Sequence, residues 1–281
     1  MSGKRWLIKG QEYHFDKPML MGILNVTPDS FSDGGKYSEQ DSAVHHALQL
    51  IEQGSDIIDV GGESSRPGSA PVDVLTEIAR VIPVIKAISK KCDTLISIDT
   101  QKSEVARAAL VAGASIINDV SGGLNDPDMF PLLAESGAGY IMMHMQGIPK
   151  TMQNAPQYDN VLNDILNFFK TRLEIARSHF VIESQIVLDP GIGFGKLLDD
   201  NLHILANIST LHDLGLPLLL GASRKSFIGM LDGSDVGDRL GGSLAAVIAT
   251  HEQNVEIFRV HDVHETRQLL ELFTAIQKHS V

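Results

Sequence analysis

Two rhythms of hydrophobic residues alternate along this chain. Short, β-rich apolar runs lie at 19–25 (MLMGILN), 56–60 (DIIDV), 94–99 (TLISID), 115–119 (SIIND), 139–144 (GYIMMH), 185–189 (QIVLD), 217–222 (PLLLGA) and 256–261 (EIFRVH). Between them apolar positions recur every three or four residues, as in Val161, Ile165, Phe168, Phe169 and Leu173. That spacing predicts helices near 39–53, 73–91, 101–112, 127–136, 158–180, 199–214, 237–253 and 262–279. Ser38, Asp73, Asp199 and Asp262 stand where N-caps are expected. Strand–helix alternation implies a parallel sheet, and eight such units without a linker predict an α/β fold, a (β/α)8 (TIM) barrel in one domain spanning 1–281. A doubly wound sheet is the competing topology. Residues 1–18 form an expected cap segment, in which 4–16 can make a hairpin closing the barrel bottom.

The strands finish in polar residues: Asn25, Asp59, Asp99, Asn118, His144, Asp189, Ser223 and His261. In a barrel those ends converge on one mouth, where active sites are built. Strand-ending polar residues also cap helices, but Asn25, Asp99, Asn118 and Asp189 directly follow continuous apolar runs. Leaving them unpaired near a core is costly.

Two long loops follow adjacent strands. "NVTPDSFSDGG" holds one aromatic, Phe31, in a polar segment, and "GGESSRPGS" sets Arg66-Pro67 on a stiffened turn. Long loops without secondary structure usually bind ligands or close over them. "DPGIGFGK" is no Walker A motif, because Pro190 replaces the first glycine and Leu197 the final Ser or Thr. Its glycines allow close backbone approach beside Asp189, and Phe194 offers a flat apolar face. "GASRKSFIG" brings Ser223, Arg224, Lys225 and Ser226 after a strand, while Arg259 and His261 share one strand face. Loops after the last two strands of barrels often hold phosphate, so Lys225, Arg259 and His261 form a candidate anion site. In "MMHMQG", Met142 is a candidate pocket residue and His144 is left without a role.

Composition narrows the classes. A hydrophobic content of 43% and a charged content of 21% describe a globular protein with ample core. No apolar run approaches the roughly 18 residues of a membrane span. The net charge of −12 argues against a nucleic-acid surface, yet leaves room for an anionic small molecule in a locally basic cleft. One cysteine, Cys92, excludes an intrachain disulfide framework and fits a cytoplasmic setting. Metal-ligand His spacing, H-E-x-x-H and G-x-S-x-G are all absent from the sequence.

Taken in order, "GILNVTPDSFSDGG", "DVGGESSRPG", "SIDT", "INDVSGG", "MHMQG", "LDPGIGFGK", "SRKSFIG" and "RVHDV" resemble the dihydropteroate synthase family over nearly the whole chain. The resemblance implies a homodimeric (β/α)8 barrel and a transferase of folate biosynthesis. Members condense 6-hydroxymethyl-7,8-dihydropterin diphosphate with p-aminobenzoate to 7,8-dihydropteroate and diphosphate, and are the sulfonamide target. It further implies Asp99, Asn118, Met142, Asp189 and Lys225 around the pterin, Arg259 and His261 on the diphosphate, and Asn25 as a contact of Mg2+. Ser65 falls in both substrate sets. Phe31, Arg66, Pro67, Phe194, Lys225 and Ser226 are the expected p-aminobenzoate residues, with Asp33 pairing Arg66. Asp99, Asp189, Lys225, Arg259 and His261 are the expected catalytic set. Many relatives carry threonine at Ser65, so the methyl is lost and the hydroxyl kept. The competing readings are a methyltetrahydrofolate-dependent corrinoid methyltransferase and a non-catalytic pterin-binding barrel.

Overall fold

The structure, a computed structural model, describes residues 3–27, 36–64, 68–148 and 151–279, with the side chains of 36–39 excepted. Phe31, Asp33, Ser65, Arg66 and Pro67, all expected site residues, lie outside the described residues.

Eight parallel strands form the sheet: β3 (Met19–Asn25), β4 (Ile57–Gly61), β5 (Leu95–Asp99), β6 (Ile116–Asp119), β7 (Gly139–Met143), β8 (Ile186–Asp189), β9 (Leu219–Leu220) and β10 (Ile257–Val260). They pair in chain order, β10 returns beside β3, and a bridge between Leu188 and Leu218 joins the remaining edges. The barrel therefore closes, and the doubly wound alternative is excluded. Around it run α1 (Lys36–Glu52), α2 (Val74–Ser89), α3 (Ser103–Ala112), α4 (Met129–Ser136), α5 (Val161–Ser178), α6 (Leu198–Ala206), α7 (Ser226–Asp232), α8 (Leu240–His251) and α9 (Val263–Gln277).

Three expectations about element boundaries change. The helix expected over 199–214 breaks after Ala206 into a 3-10 turn, Ile208–Leu214. α7 is an unexpected short helix directly after Lys225. Of the expected caps, Asp73 accepts from Thr76 N at 2.9 Å. Asp199 instead lies inside α6, where Asp200 accepts from Leu197 N, and Ser38 lies within α1. The Asp262 carboxylate is engaged by Arg224 rather than by helix amides.

Residues alternate between the barrel interior and the helix layer, as strand geometry requires. The outward set, including Leu20, Ile58, Ile98, Ile117, Met142, Leu188 and Phe258, packs against the helices. The inward bottom layer is Met21, Ile57, Ile116, Ile141, Val187, Leu219 and Ile257. β1 (Arg5–Ile8) and β2 (Gln11–His14) make the hairpin beneath it, turning at Lys9 and Gly10 with positive φ. Trp6 is fully buried there and donates from Nε1 to Gln185 O at 2.7 Å. With the bottom filled, the open end is the other one.

Candidate functional site

One pleat above the apolar layer, the inward positions become polar. Asp59, Ser97, Asn118, Asp189 and Arg259 occupy it beside Ile23 and Met143, and Asn25, Asp99 and His261 follow at the mouth. Arg259 is the hub. Its Nε donates to Asp59 Oδ2 at 2.7 Å and its NH2 to Asp99 Oδ2 at 2.9 Å. Asn118 Nδ2 donates to the same Asp59 oxygen at 3.0 Å. Asp59 is fully buried and was expected only as a strand end. It spans three strands, and the DIIDV alternation that places it inward was the available signal.

Burial pushes Asp99 up to about 7, against the pull of Arg259 and with Asp59 and Glu77 adding to the rise. Asp189 is also raised, by burial first. Its Oδ1 accepts from Gly191 N at 2.7 Å. Lys225 is half-buried, its ammonium pushed down to about 8 by burial and by Arg259. It lies 4.0 Å over the Phe194 ring.

These groups border an open recess lined by Asp99, Asn118, Val120, Met143, Asp189, Gly191, Ile192, Phe194, Gly221, Lys225 and Arg259. Two inward glycines stand beside these groups. A Cβ on Gly221 would lie 3.9 Å from Arg259 Cβ and 4.0 Å from Asp189 Oδ2, and one on Gly61 would lie 3.7 Å from both Asn25 Oδ1 and Asp99 Oδ2.

Met142 does not face this recess. It points outward into the helix layer, and Met143, one residue on, supplies the apolar wall together with Val120. The expectation was off by one pleat, because a run of methionines hides the alternation. His144 is likewise outside the recess, packed edge-on to Phe168 at 4.9 Å and facing Lys196.

His261 Nδ1 meets Ser223 Oγ at 3.0 Å. Burial, Arg259 and Arg224 hold its pKa down at about 4, so the ring is neutral near pH 7. Arg224 turns away from the mouth and pairs with Asp262 through Nε (3.0 Å) and NH2. Ser226 is exposed at the start of α7.

The second loop is tied down at its base. Lys102 bridges Glu63 to the buried Glu77 of α2, and Arg80 donates to Gly62 O at 2.8 Å. Asp119 faces outward and accepts from Ser121 N, Ser121 Oγ, Gly123 N and Tyr140 OH, which fixes the turn carrying Val120. Lys196 was missed by the sequence reading. It is buried, holds loop carbonyls rather than a phosphate, and is pushed down to about 7, by burial first. Among the described residues, no three His, Cys, Asp or Glu side chains gather as a metal site, and no helix is long and apolar enough to cross a membrane.

Comparison with known proteins follows the same outline. Residues 21–261 match the pterin binding enzyme family. The dihydropteroate synthase of Escherichia coli K12 is 45% identical over 267 residues, covering 95% of this chain and 94% of that protein. The solved Xanthomonas albilineans dihydropteroate synthase with 4-aminobenzoic acid superposes with a TM-score of 0.92 at 40% identity over 100% of both chains. The Yersinia pestis dihydropteroate synthase in a sulfonamide drug complex gives 0.91 at 40% identity, covering 98% of this chain and 99% of that one.

Proposed function

The chain belongs to the pterin binding enzyme family and, within it, to the dihydropteroate synthases, and on that footing we propose which residues carry the family's reaction here. The enzyme joins the pterin methylene of 6-hydroxymethyl-7,8-dihydropterin diphosphate to the amine of p-aminobenzoate. The methylene C–O bond breaks, diphosphate leaves, the C–N bond forms and the amine gives up a proton.

The recess carries this assignment. Asp189 Oδ2 and Asp99 present acceptors to the amino and ring N–H edge of a pterin, while Asn118 and Lys225 present donors to its carbonyl and ring nitrogen. The planar guanidinium of Arg259, held flat by two carboxylates, stacks on the ring. Positive charge develops in the dihydropterin as diphosphate departs. Asp59, Asp99 and Asp189 surround that position and stabilise it. His261, neutral in the free protein, and Arg259 bind the departing diphosphate.

Mg2+ fits the donors at Asn25. A small hard cation takes one or two protein oxygens and completes its shell with water and substrate phosphate. Gly61 places no side chain beside Asn25 Oδ1, where an added Cβ would lie 3.7 Å away. When bound, the ion neutralises charge on the leaving group. Phe194, under Lys225, borders the p-aminobenzoate subsite, with Ser226 near its carboxylate. Phe31, Ser65, Arg66 and Pro67 are the remaining residues assigned to that subsite.

Homodimerisation is supported by exposed apolar residues on the last helices, Met230 and Leu231 of α7 and Leu272 and Ile276 of α9. The exposed positions Gly241, Ala245 and Ala249 of α8 allow close helix approach. Light scattering should return about twice 30.5 kDa. The single cysteine suits a cytoplasmic enzyme.

Calorimetry tests the pocket assignment. Dihydropterin diphosphate should bind wild-type protein, and Asp189→Asn should weaken it at least about 10-fold by losing a charged acceptor. Unchanged affinity removes Asp189 from the pterin edge.

A further inference from the structure

The wall bearing Phe194 is held from behind. Lys196, 2% exposed, aims its ammonium at Gly191 O (3.0 Å), Phe194 O (3.0 Å), His144 O (3.3 Å) and His144 Nδ1 (3.0 Å). Each of these partners is an uncharged acceptor. His144 is neutral near pH 7, held at about 2 by burial and by Lys196, so its Nδ1 accepts and its Nε2 carries the proton. The ring is packed against Phe168 and Tyr158.

The other loop carbonyls are held as well. Gln153 Nε2 donates to Gly193 O and Tyr158 OH to Gly195 O, both at 2.7 Å. The backbone lies flush on the segment after β7. A Cβ at Gly191 would come within 2.0 Å of His144 O, and one at Gly195 within 2.3 Å of Gln146 O. The loop from Asp189 to Lys196 is thus a framed plate, and the plate carries Phe194 under Lys225.

A buried lysine amine with no carboxylate in hydrogen-bond contact is expensive, and packing alone does not require one. A methionine would fill the same volume. What the amine adds is directed N–H donors that bring Gly191 O, Phe194 O and His144 to one point. We propose that Lys196 and His144 form a positioning clasp for the arylamine subsite, setting the Phe194 ring without touching substrate. This rests on the assignment of Phe194 to that subsite.

Steady-state kinetics, varying each substrate, separate this role from simple stabilisation. Lys196→Met and His144→Leu should raise KM for p-aminobenzoate at least about 10-fold, with the dihydropterin diphosphate Kd within about twofold of wild type. His144→Asn, whose Oδ1 can still accept from Lys196, should return KM to within about threefold. A purely structural lysine would lower Tm and the active fraction while leaving both constants of the folded enzyme unchanged, and that result refutes the clasp. Phe194→Ala serves as the reference. If it leaves the p-aminobenzoate KM unchanged, the subsite assignment falls and the clasp with it. Should it raise KM while the clasp variants do not, the assignment stands and the clasp is wrong. If Lys196→Met fails to fold, the His144→Leu and His144→Asn pair decides alone.

Discussion

Replacing Gly221 by alanine separates folding from ligand binding at a single methyl group. Gly221 has no left-handed φ, and its added Cβ would meet Arg259 Cβ at 3.9 Å, Arg259 Cδ at 4.0 Å and Asp189 Oδ2 at 4.0 Å, all ordinary contacts. The free protein therefore accommodates Gly221→Ala without strain. It should even gain up to about 1 kcal/mol from the stiffer unfolded chain, a Tm rise of about 2 °C or less. The bound state is different. The new methyl enters the gap between Asp189 and Arg259, where a ring must pass to accept one's hydrogen bonds and stack on the other. Overpacking by one carbon costs about 1–3 kcal/mol, or about 5- to 150-fold in Kd. Calorimetry with dihydropterin diphosphate, alongside thermal melts, measures both sides. A Kd within about twofold of wild type at unchanged Tm would refute the placement of the pterin between these residues.

Other consequences are equally direct. Gly191→Ala should do the opposite of Gly221→Ala, since φ is +69° and the Cβ would lie 2.0 Å from His144 O; a loss of at least about 3 kcal/mol is expected in denaturant melts. Asp59→Asn should keep the fold yet lower kcat/KM about 10- to 100-fold, because Arg259 loses one of its two carboxylates; unchanged kcat/KM would show that Asp99 alone orients the guanidinium. His261, lowered to about 4, and His144, lowered to about 2, should show no ring titration between pH 6 and 8 by NMR. Both pKa values lie below the unfolded value near 6.5, so the unfolded chain binds more protons as pH falls. Their contribution to stability is full above about 6.5 and declines towards pH 4; a melt midpoint that rises over that descent, in a His261→Asn comparison, would contradict the sign.

How much of this was readable from the chain depends on geometry. A polar residue ending an apolar run made Asp99, Asn118 and Asp189 legible as mouth residues, and the two-residue spacing of Arg259 and His261 put both on one strand face. Met142 and Met143 could not be told apart, because consecutive apolar residues carry no phase. α7 escaped notice since seven residues give too little periodicity, and the two-residue strand β9 is far shorter than PLLLGA suggests. Asp59 and Lys196 were visible as residues and invisible as partners. Their importance comes from contacts across 200 and 52 positions of sequence, to Arg259 and to His144, which no local pattern encodes. Asp262 does stand at the N-cap of α9, but Arg224, 38 residues earlier, takes its carboxylate in place of helix amides.

The central claim is that this barrel mouth couples departure of diphosphate to capture of an arylamine. Purified protein given dihydropterin diphosphate and Mg2+, with and without p-aminobenzoate, tests it most directly when diphosphate and dihydropteroate are both quantified. The account predicts one-to-one release and product formation that depend on p-aminobenzoate and vanish in Lys225→Ala and Arg259→Ala. Tight pterin binding with no diphosphate released under either condition would contradict it, leaving a pterin-binding barrel without this chemistry.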